Sequence, residues 1–453
     1  MARKERNKQA EIPMTEGSIQ NRIIAFAVPL LLGNTFQQLY NTADSLIVGR
    51  FRGGDALAAV SSSGSLIMLM VGFFNGLALG AGVVIARFYG GNNQRDVHTS
   101  IHTAIAFGLL AGIFLTAFGI LTTPFILRLM GTPEEVLPNS ILYFRIYFCG
   151  AIGNVMFNML QGIHQSVGDS RHPLYYLIIS SVVNILLDLL FVAVMGCGVG
   201  AAALATILSQ LLSATLSLRH LMNGPEEYRV SLKEIRLDRR MLHLIVRNGL
   251  PTGVQNSIIS IANVTMQSNI NAFGAAAMAG CGAYMKIEGF GFLPITCFVM
   301  SMTTFVSQNL GAKEYERAKK GARFGITCGV ILAELLGLLI YTFAPFLISL
   351  FDPDPEVVRF GVMHSRITSP LFCILAFSHC SAGILRGAGK PVVPMVVMAL
   401  VWCVFRVTYV TIAVQLYPSI RTVASAWPVS WFISSVIFLI YLLKGDWVHG
   451  EIS

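Results

Sequence analysis

GIHQSVGDSRHP, residues 162–173, returns as GILRGAGKPVVP at residues 383–394, a shift of 221 positions that keeps both glycines and the closing proline in register. One such match is within the reach of chance. A shift of 220 to 222 residues, however, aligns much more of the chain. Pro29 meets Pro251, Asn34 meets Asn256, and the turn GGDALAAV from Gly53 meets FGAAAMAG from Phe273. Glu135-Val136 meets Glu356-Val357, and Arg145-Ile146 meets Arg366-Ile367. Matches at nearly one offset across a whole sequence mark a duplicated structural unit.

What the unit is made of follows from composition. The 453 residues are 54% hydrophobic and only 12% charged, against about 25% charged in ordinary soluble domains. Too few charges remain to cover a water-facing surface, so lipid is the solvent for most of the chain. A helix crossing a bilayer needs about 20 mainly apolar residues at 1.5 Å each. Twelve segments qualify, near residues 22–48, 57–86, 98–123, 139–163, 173–195, 199–220, 243–270, 277–307, 322–346, 358–384, 392–416 and 422–443. The expected fold is an all-α membrane protein with twelve transmembrane helices in two pseudo-symmetric six-helix bundles. Residues 1–220 form the first lobe, 221–242 a charged cytoplasmic linker, and 243–453 the second lobe. Six is even, so both halves enter from the same side and are parallel repeats. Two similar bundles face to face suit alternating access.

The net charge of +9 is not a nucleic-acid footprint, because it is distributed by topology. One alternating set of loops carries most of the Lys and Arg; the other has only Arg50, Arg52, Arg128, Arg359 and Arg421. That bias is the positive-inside rule and places both termini in the cytoplasm. The first eighteen residues are polar and the run after them is too long for a cleaved leader, so the first helix is expected to stay. Eight cysteines lie mostly in apolar segments without a CxxC pair, which supports neither a disulfide framework nor a zinc site. Phosphate-loop, zinc-protease and GxSxG patterns are absent, so no enzyme and no cofactor are expected.

Ionisable groups inside spans are costly and therefore functional candidates: Asp44, Arg145, Asp188, Lys286, Glu288, Glu334, Arg366 and Arg406. The repeat sorts them. Arg145 and Arg366 recur, as scaffold residues should. Asp44 and Asp188 do not, since their counterparts are Met266 and Tyr409, and Thr206 faces Trp427. Asp188 precedes the turn at Gly196 by eight residues and Thr206 follows Gly198 by eight, so both lie about 12 Å below it. Asp44 precedes Arg52 by the same count. Asn184 and Asp188 are i and i+4 and share a helix face. Two carboxylates, an amide oxygen and a hydroxyl suit a hard cation such as Na⁺, and paired acids in low dielectric also suit a proton. Lys286 and Glu288, two apart, face different ways. Glu334 either binds a proton or cation or hydrogen-bonds a neighbouring helix. Gly76 and Gly80 in NGLALG permit close helix packing. GG at Gly90 and NLG at Asn309 end spans two and eight as helix caps.

Over nearly its full length the chain resembles bacterial multidrug and toxic compound extrusion (MATE) transporters. The resemblance rests on Pro29, NTADSLIVGRF at 41–51, ALAAV at 56–60, NILLD ending at Asp188, NLGA from Asn309 and LRGAGKP from Leu385, in that order within the two-part repeat. It implies efflux of amphipathic, often cationic, compounds in exchange for H⁺ or Na⁺, from a monomer in the cell inner membrane. It maps coupling onto Asp44, Asn184, Asp188 and Thr206, which would ligate the metal if Na⁺ is the ion. Gln37, Tyr143, Asn158 and Gln210 become cavity residues, and Glu288 is added as an ionisable group of the eighth span. One departure stands out: members that use an acid on the seventh helix have no counterpart in PTGVQNSIISIANV, residues 251–264, so coupling is expected in the first lobe. The rival reading is a flippase for a lipid-linked saccharide or other amphiphile. It would need a broad cationic cavity, for which only Arg145, Lys286, Arg366 and Arg406 are available.

Overall fold

The computed structural model describes residues 13–52, 54–129, 137–197 and 199–450; side chains are described for these except 41–69, 129 and 199. Twelve helical runs follow in chain order: α1 (Ile19–Arg52), α2 (Gly54–Gly90), α3 (Gln94–Leu129), α4 (Leu137–Cys149 and Ala151–Ser166), α5 (Arg171–Asp188, continued by Leu189–Val194), α6 (Val199–Met222), α7 (Arg239–Asn271), α8 (Ala275–Gly311), α9 (Tyr315–Ser349), α10 (Pro355–Thr368 and Phe372–Gly387), α11 (Val392–Leu416) and α12 (Ile420–Lys444). Most helices outrun the apolar windows that announce them. All eight cysteines are free.

Ten of these helices are long and apolar enough to cross a membrane, and the two pieces of α4, bent by 46°, make an eleventh when taken as one span. The remaining run, α7, falls short on apolarity: it buries Asn248, Thr252 and Gln255 and carries further amides and hydroxyls. Breaks have local causes. At Gly150 the chain turns where a Cβ would run into Ile207 of α6. In α10 the interruption spans Ser369–Leu371 and includes Pro370, which has no N–H to give. α5 and α11, equivalent in the repeat, each contain a π-helical stretch, Leu189–Val194 and Ala399–Phe405.

The repeat is written into the backbone as well as the sequence. Among described non-glycine residues only Asn92 and Lys313 have positive φ (54° and 61°), and they are 221 positions apart. Each follows α2 or α8 with the same bonds: Asn93 N–H to Phe88 O (3.0 Å) in one half, Glu314 N–H to Asn309 O (2.8 Å) in the other. These are the expected helix caps, with the left-handed residue two places beyond Gly90. In the opening motif, Gly168 and Gly389 take φ of 91° and 77°. Asp169 N–H reaches His164 O at 2.9 Å and Lys390 N–H reaches Leu385 O at 2.9 Å. Replacing Gly168 or Gly389 by Ala should therefore cost about 1–2 kcal/mol each. The check is thermal unfolding of both variants in detergent; unequal or negligible losses would contradict equivalent turns.

Two compact units emerge, Val28–Gly253 and Met14–Ala27 with Val254–Ser453. Their limits fall beside Pro29 and Pro251, not in the linker. In the first unit, Gly76 and Gly80 of α2 meet Gly253 and Gly249 of α7 so closely that a Cβ on either would enter the opposing backbone. Conversely, a Cβ on Gly249 would lie 2.8 Å from Leu77 Cα, and one on Gly253 2.7 Å from Phe73 O. The expected small-residue face thus has a partner of identical spacing. The segment before α7 is pinned to α3: Ser231 N–H donates to His102 Nε2 (3.0 Å), Asp238 N–H to Thr103 Oγ1 (3.2 Å), and His98 Nε2 meets Glu234 at 2.9 Å.

In the second unit, residues 14–17 are held by α8 and α9. Met14 N–H donates to Gln308 Oε1 (2.9 Å), Asn309 Nδ2 to Met14 O (3.3 Å), and Arg317 to the carbonyls of Met14, Glu16 and Gly17. Gln308 and Asn309 are fully buried. Glu334 resolves to its second alternative, accepting Cys373 N–H at 3.0 Å and bracing α9 to α10.

Candidate functional site

One helix face of α5 is buried, through Leu177, Ser180, Ser181, Asn184 and Asp188. The steps of three and four residues make it a single stripe. Asp188 is 0% exposed and Asn184 1%, and neither amide atom of Asn184 has a hydrogen-bond partner among the described residues. Directly after Asp188 the backbone widens into its π-helical stretch. On α6 the matching face is Thr206, Ser209, Gln210 and Ser213. Thr206 spends its hydroxyl proton on Ala202 O (3.0 Å), leaving its oxygen lone pairs to accept.

Where these faces continue, a small polar cavity of about 20 Å³, room for a water or two, is lined by Gln37, Tyr40, Asn154, Asn158, Ser180 and Gln210, among others. Gln37, Asn158 and Gln210 all line it. Asn158 Nδ2 donates to Asn154 Oδ1 (3.0 Å) and Gln210 hydrogen-bonds Tyr147. Asn154, Ser180, Ser181 and Ser209 add polar groups that sequence reasoning passed over; their signal was hydroxyls and amides recurring at helical spacing. Asn184, Asp188 and Thr206 extend the same two faces by one or two turns. Tyr143 is buried with Phe144 and Phe148, its ring stacked 6.4 Å from that of Tyr147. The Asp44 side chain lies outside the described residues, though its backbone belongs to α1.

Glu288 belongs to the second unit, within Coulombic range of Arg406. Arg406 is 1% exposed, directly follows the π-helical stretch of α11, and donates Nε–H to Ser430 Oγ at 2.8 Å. Its guanidinium lies 4.7 Å from the Trp402 ring and 5.7 Å from Trp427. Ring contacts extend this on both sides, from Trp427 to His364 (5.0 Å) and from Trp402 to His379 (5.1 Å). Both histidines escaped the sequence reading, although an imidazole inside a span is a visible signal. Lys286 is exposed over Phe351, and Arg366 is exposed over Tyr341 and shares a pocket with Arg359 and Arg421.

Between α4 and α5, Asp169 organises the turn. Its Oδ1 accepts the backbone N–H groups of Arg171 and His172 (both 3.1 Å), and its Oδ2 meets His164 Nδ1 at 3.0 Å and His172 Nδ1 at 2.8 Å. Burial raises the pKa of this carboxyl, but hydrogen bonds and charge from the two histidines outweigh it and hold the group well below the usual carboxylate range.

Comparison with known proteins places this geometry. The MatE family pattern matches residues 29–190 and again 251–412, one match in each half of the repeat. The chain is 30% identical to the probable multidrug resistance protein YoeA of Bacillus subtilis over 84% of both chains. It is 25% identical to the FAD transporter of Shewanella oneidensis over 74% of this chain and 75% of that one. Among solved structures, a multidrug resistance MATE family transporter in its outward-facing conformation superposes with a TM-score of 0.89 at 22% identity, covering 96% of this chain and 97% of that one. With the family pattern in both halves, the twelve-helix fold and buried polar faces in the first lobe, the chain belongs to the MatE family and is a multi-pass MATE membrane transporter.

Proposed function

We propose that the protein is a secondary active multidrug exporter of the bacterial plasma membrane. In this reading it exchanges H⁺ or Na⁺ for amphipathic, often cationic, organic compounds by alternating access, with coupling in the first lobe. The observation that carries the reading is the buried face of Asn184 and Asp188 running into a polar cavity. A carboxylate shielded from water is costly unless a proton or cation neutralises it. Asn184 and Thr206 supply the neutral oxygens a hard cation prefers, and Asp44 adds a second acid from α1. The walls of the small cavity present amides, hydroxyls and the Tyr40 ring, groups that can meet varied substrates once the lobe opens.

Coupling requires that the ion prefer one conformation, since equal affinity for both shifts nothing. Pro29 supplies the bistable element: its missing N–H leaves α1 one hydrogen bond short where a bend needs it. Cation binding at Asp44 and Asp188 repacks α1 there, contracts the first-lobe cavity and releases substrate outward.

A second reading is transport of an anionic amphiphile. The buried Arg406 between Trp402 and Trp427 and the relative named as an FAD transporter favour it. One assay separates them: dye efflux from proteoliposomes with Na⁺ and pH gradients imposed one at a time, using cationic and then anionic dyes. Efflux of cationic dye driven by one gradient supports the exporter. Efflux confined to anionic dye, or independent of both gradients, overturns it.

A further inference from the structure

Four groups with metal-ligating chemistry meet at one end of the first unit, away from the polar cavity. His164 closes α4, Asp169 forms the turn, His172 opens α5 and His220 lies in the last turn of α6. His164 is 0% exposed and Asp169 5%. One ligand atom each from His164, Asp169 and His220 fall within 4.8 Å of one another. A four-coordinate Zn²⁺ with bonds near 2.1 Å sets its ligands about 3.4 Å apart, so separations within 4.8 Å need to close by at most about 1.4 Å to admit an ion.

The hydrogen bonds leave a position for positive charge. His164 Nδ1 faces Asp169 Oδ2 at 3.0 Å and its Nε2 faces Ser217 O at 3.4 Å. A neutral imidazole has one N–H to answer two oxygens. The carbonyl partner is also what a metal-bound histidine uses to fix its ring. His172 orients the carboxylate from the other side, with Nδ1 at 2.8 Å from Oδ2, and stacks on His220 at 4.0 Å between centroids.

A scaffold role for the cluster would predict its recurrence in the second half. Instead the counterparts of His164, Asp169, His172 and His220 are Leu385, Lys390, Val393 and Tyr441. The turn geometry is kept there without any of the four side chains. The other histidine pair, His98 and His102 with Glu234, is less available: His102 already uses Nδ1 on His98 O (2.8 Å) and Nε2 on Ser231 N–H (3.0 Å).

We infer that His164, Asp169 and His220 form a site for a borderline divalent transition cation such as Zn²⁺, with His172 holding the carboxylate in place. Bound there, the ion ties the end of α6 to the turn between α4 and α5.

The test uses the full-length, tag-free protein in detergent, titrated with Co²⁺ and read by the visible d–d bands of four-coordinate cobalt. One equivalent should bind, Zn²⁺ should displace it, and Zn²⁺ should raise the melting temperature. His220→Phe keeps a ring against His172 while removing the ligand, and should weaken binding by at least about 100-fold. Asp169→Asn should do the same and abolish the melting shift. His449→Ala, which alters a surface pair with Asp446, should change neither readout. Absence of the cobalt bands, or bands that survive His220→Phe and Asp169→Asn unchanged, would overturn the site.

Discussion

Asp188→Asn should bring gradient-driven export in proteoliposomes down to the leak rate, a loss of roughly 5–150-fold if coupling is worth the usual few kcal/mol. The protein should remain monodisperse with its melting temperature preserved. Asparagine matches aspartate in shape and keeps an oxygen for neighbouring donors, but it cannot take up a proton or balance a cation. In a site 0% exposed, removing the charge also removes a desolvation cost, so folding should not suffer. Asp44→Asn should reproduce the transport loss. The combined variant should lose little more than either alone, because residues acting as one unit are not additive. Substrate binding without a gradient should persist in all three. Full export by both single variants would remove coupling from this lobe.

The second large effect is on stability. Gly80→Leu should destabilise the first unit by about 3 kcal/mol or more, above the usual cost of overpacking, because the new Cβ meets backbone of Gly249, not a side chain able to turn aside. Gly249→Leu should behave likewise from the opposite face. Gly282→Ala and Gly289→Ala in α8 are the controls, since nothing lies within 4 Å of the added carbon. Thermal unfolding followed by loss of the monodisperse peak reads all four. A Gly80→Leu protein melting with the controls would show that α2 and α7 are not in backbone contact.

Much of this architecture was legible in the sequence, because a duplicated chain repeats its turn chemistry. The offset that aligns GIHQSVGDSRHP with GILRGAGKPVVP also aligns Gly168 with Gly389 and Asn92 with Lys313 in left-handed conformations. The face through Asn184 and Asp188 was legible too, because helical periodicity alone puts the two side chains together. What stayed hidden is whatever depends on pairing between distant helices. Gly76 and Gly80 announced a close contact, yet nothing local named Gly249 and Gly253 as the partner. The histidine cluster draws on three helices and a turn, and no spacing rule links residue 164 to residue 220. α7 was counted among the apolar spans, although its amides and hydroxyls place it below the apolarity of the other eleven.

The limits of the compact units at Val28 and Val254 bear on how the protein is made. A chain synthesised from its N-terminus ordinarily completes one domain before starting the next. Here the first unit is not complete at the end of α6. It must wait through the intervening segment until Gly249 and Gly253 arrive to close on α2. Residues 14–17, made early, reach Gln308, Asn309 and Arg317 only after most of the chain has been translated. Insertion into the bilayer therefore proceeds with both units open at once, and cutting the gene between α6 and α7 yields two fragments that each lack a piece held by the other.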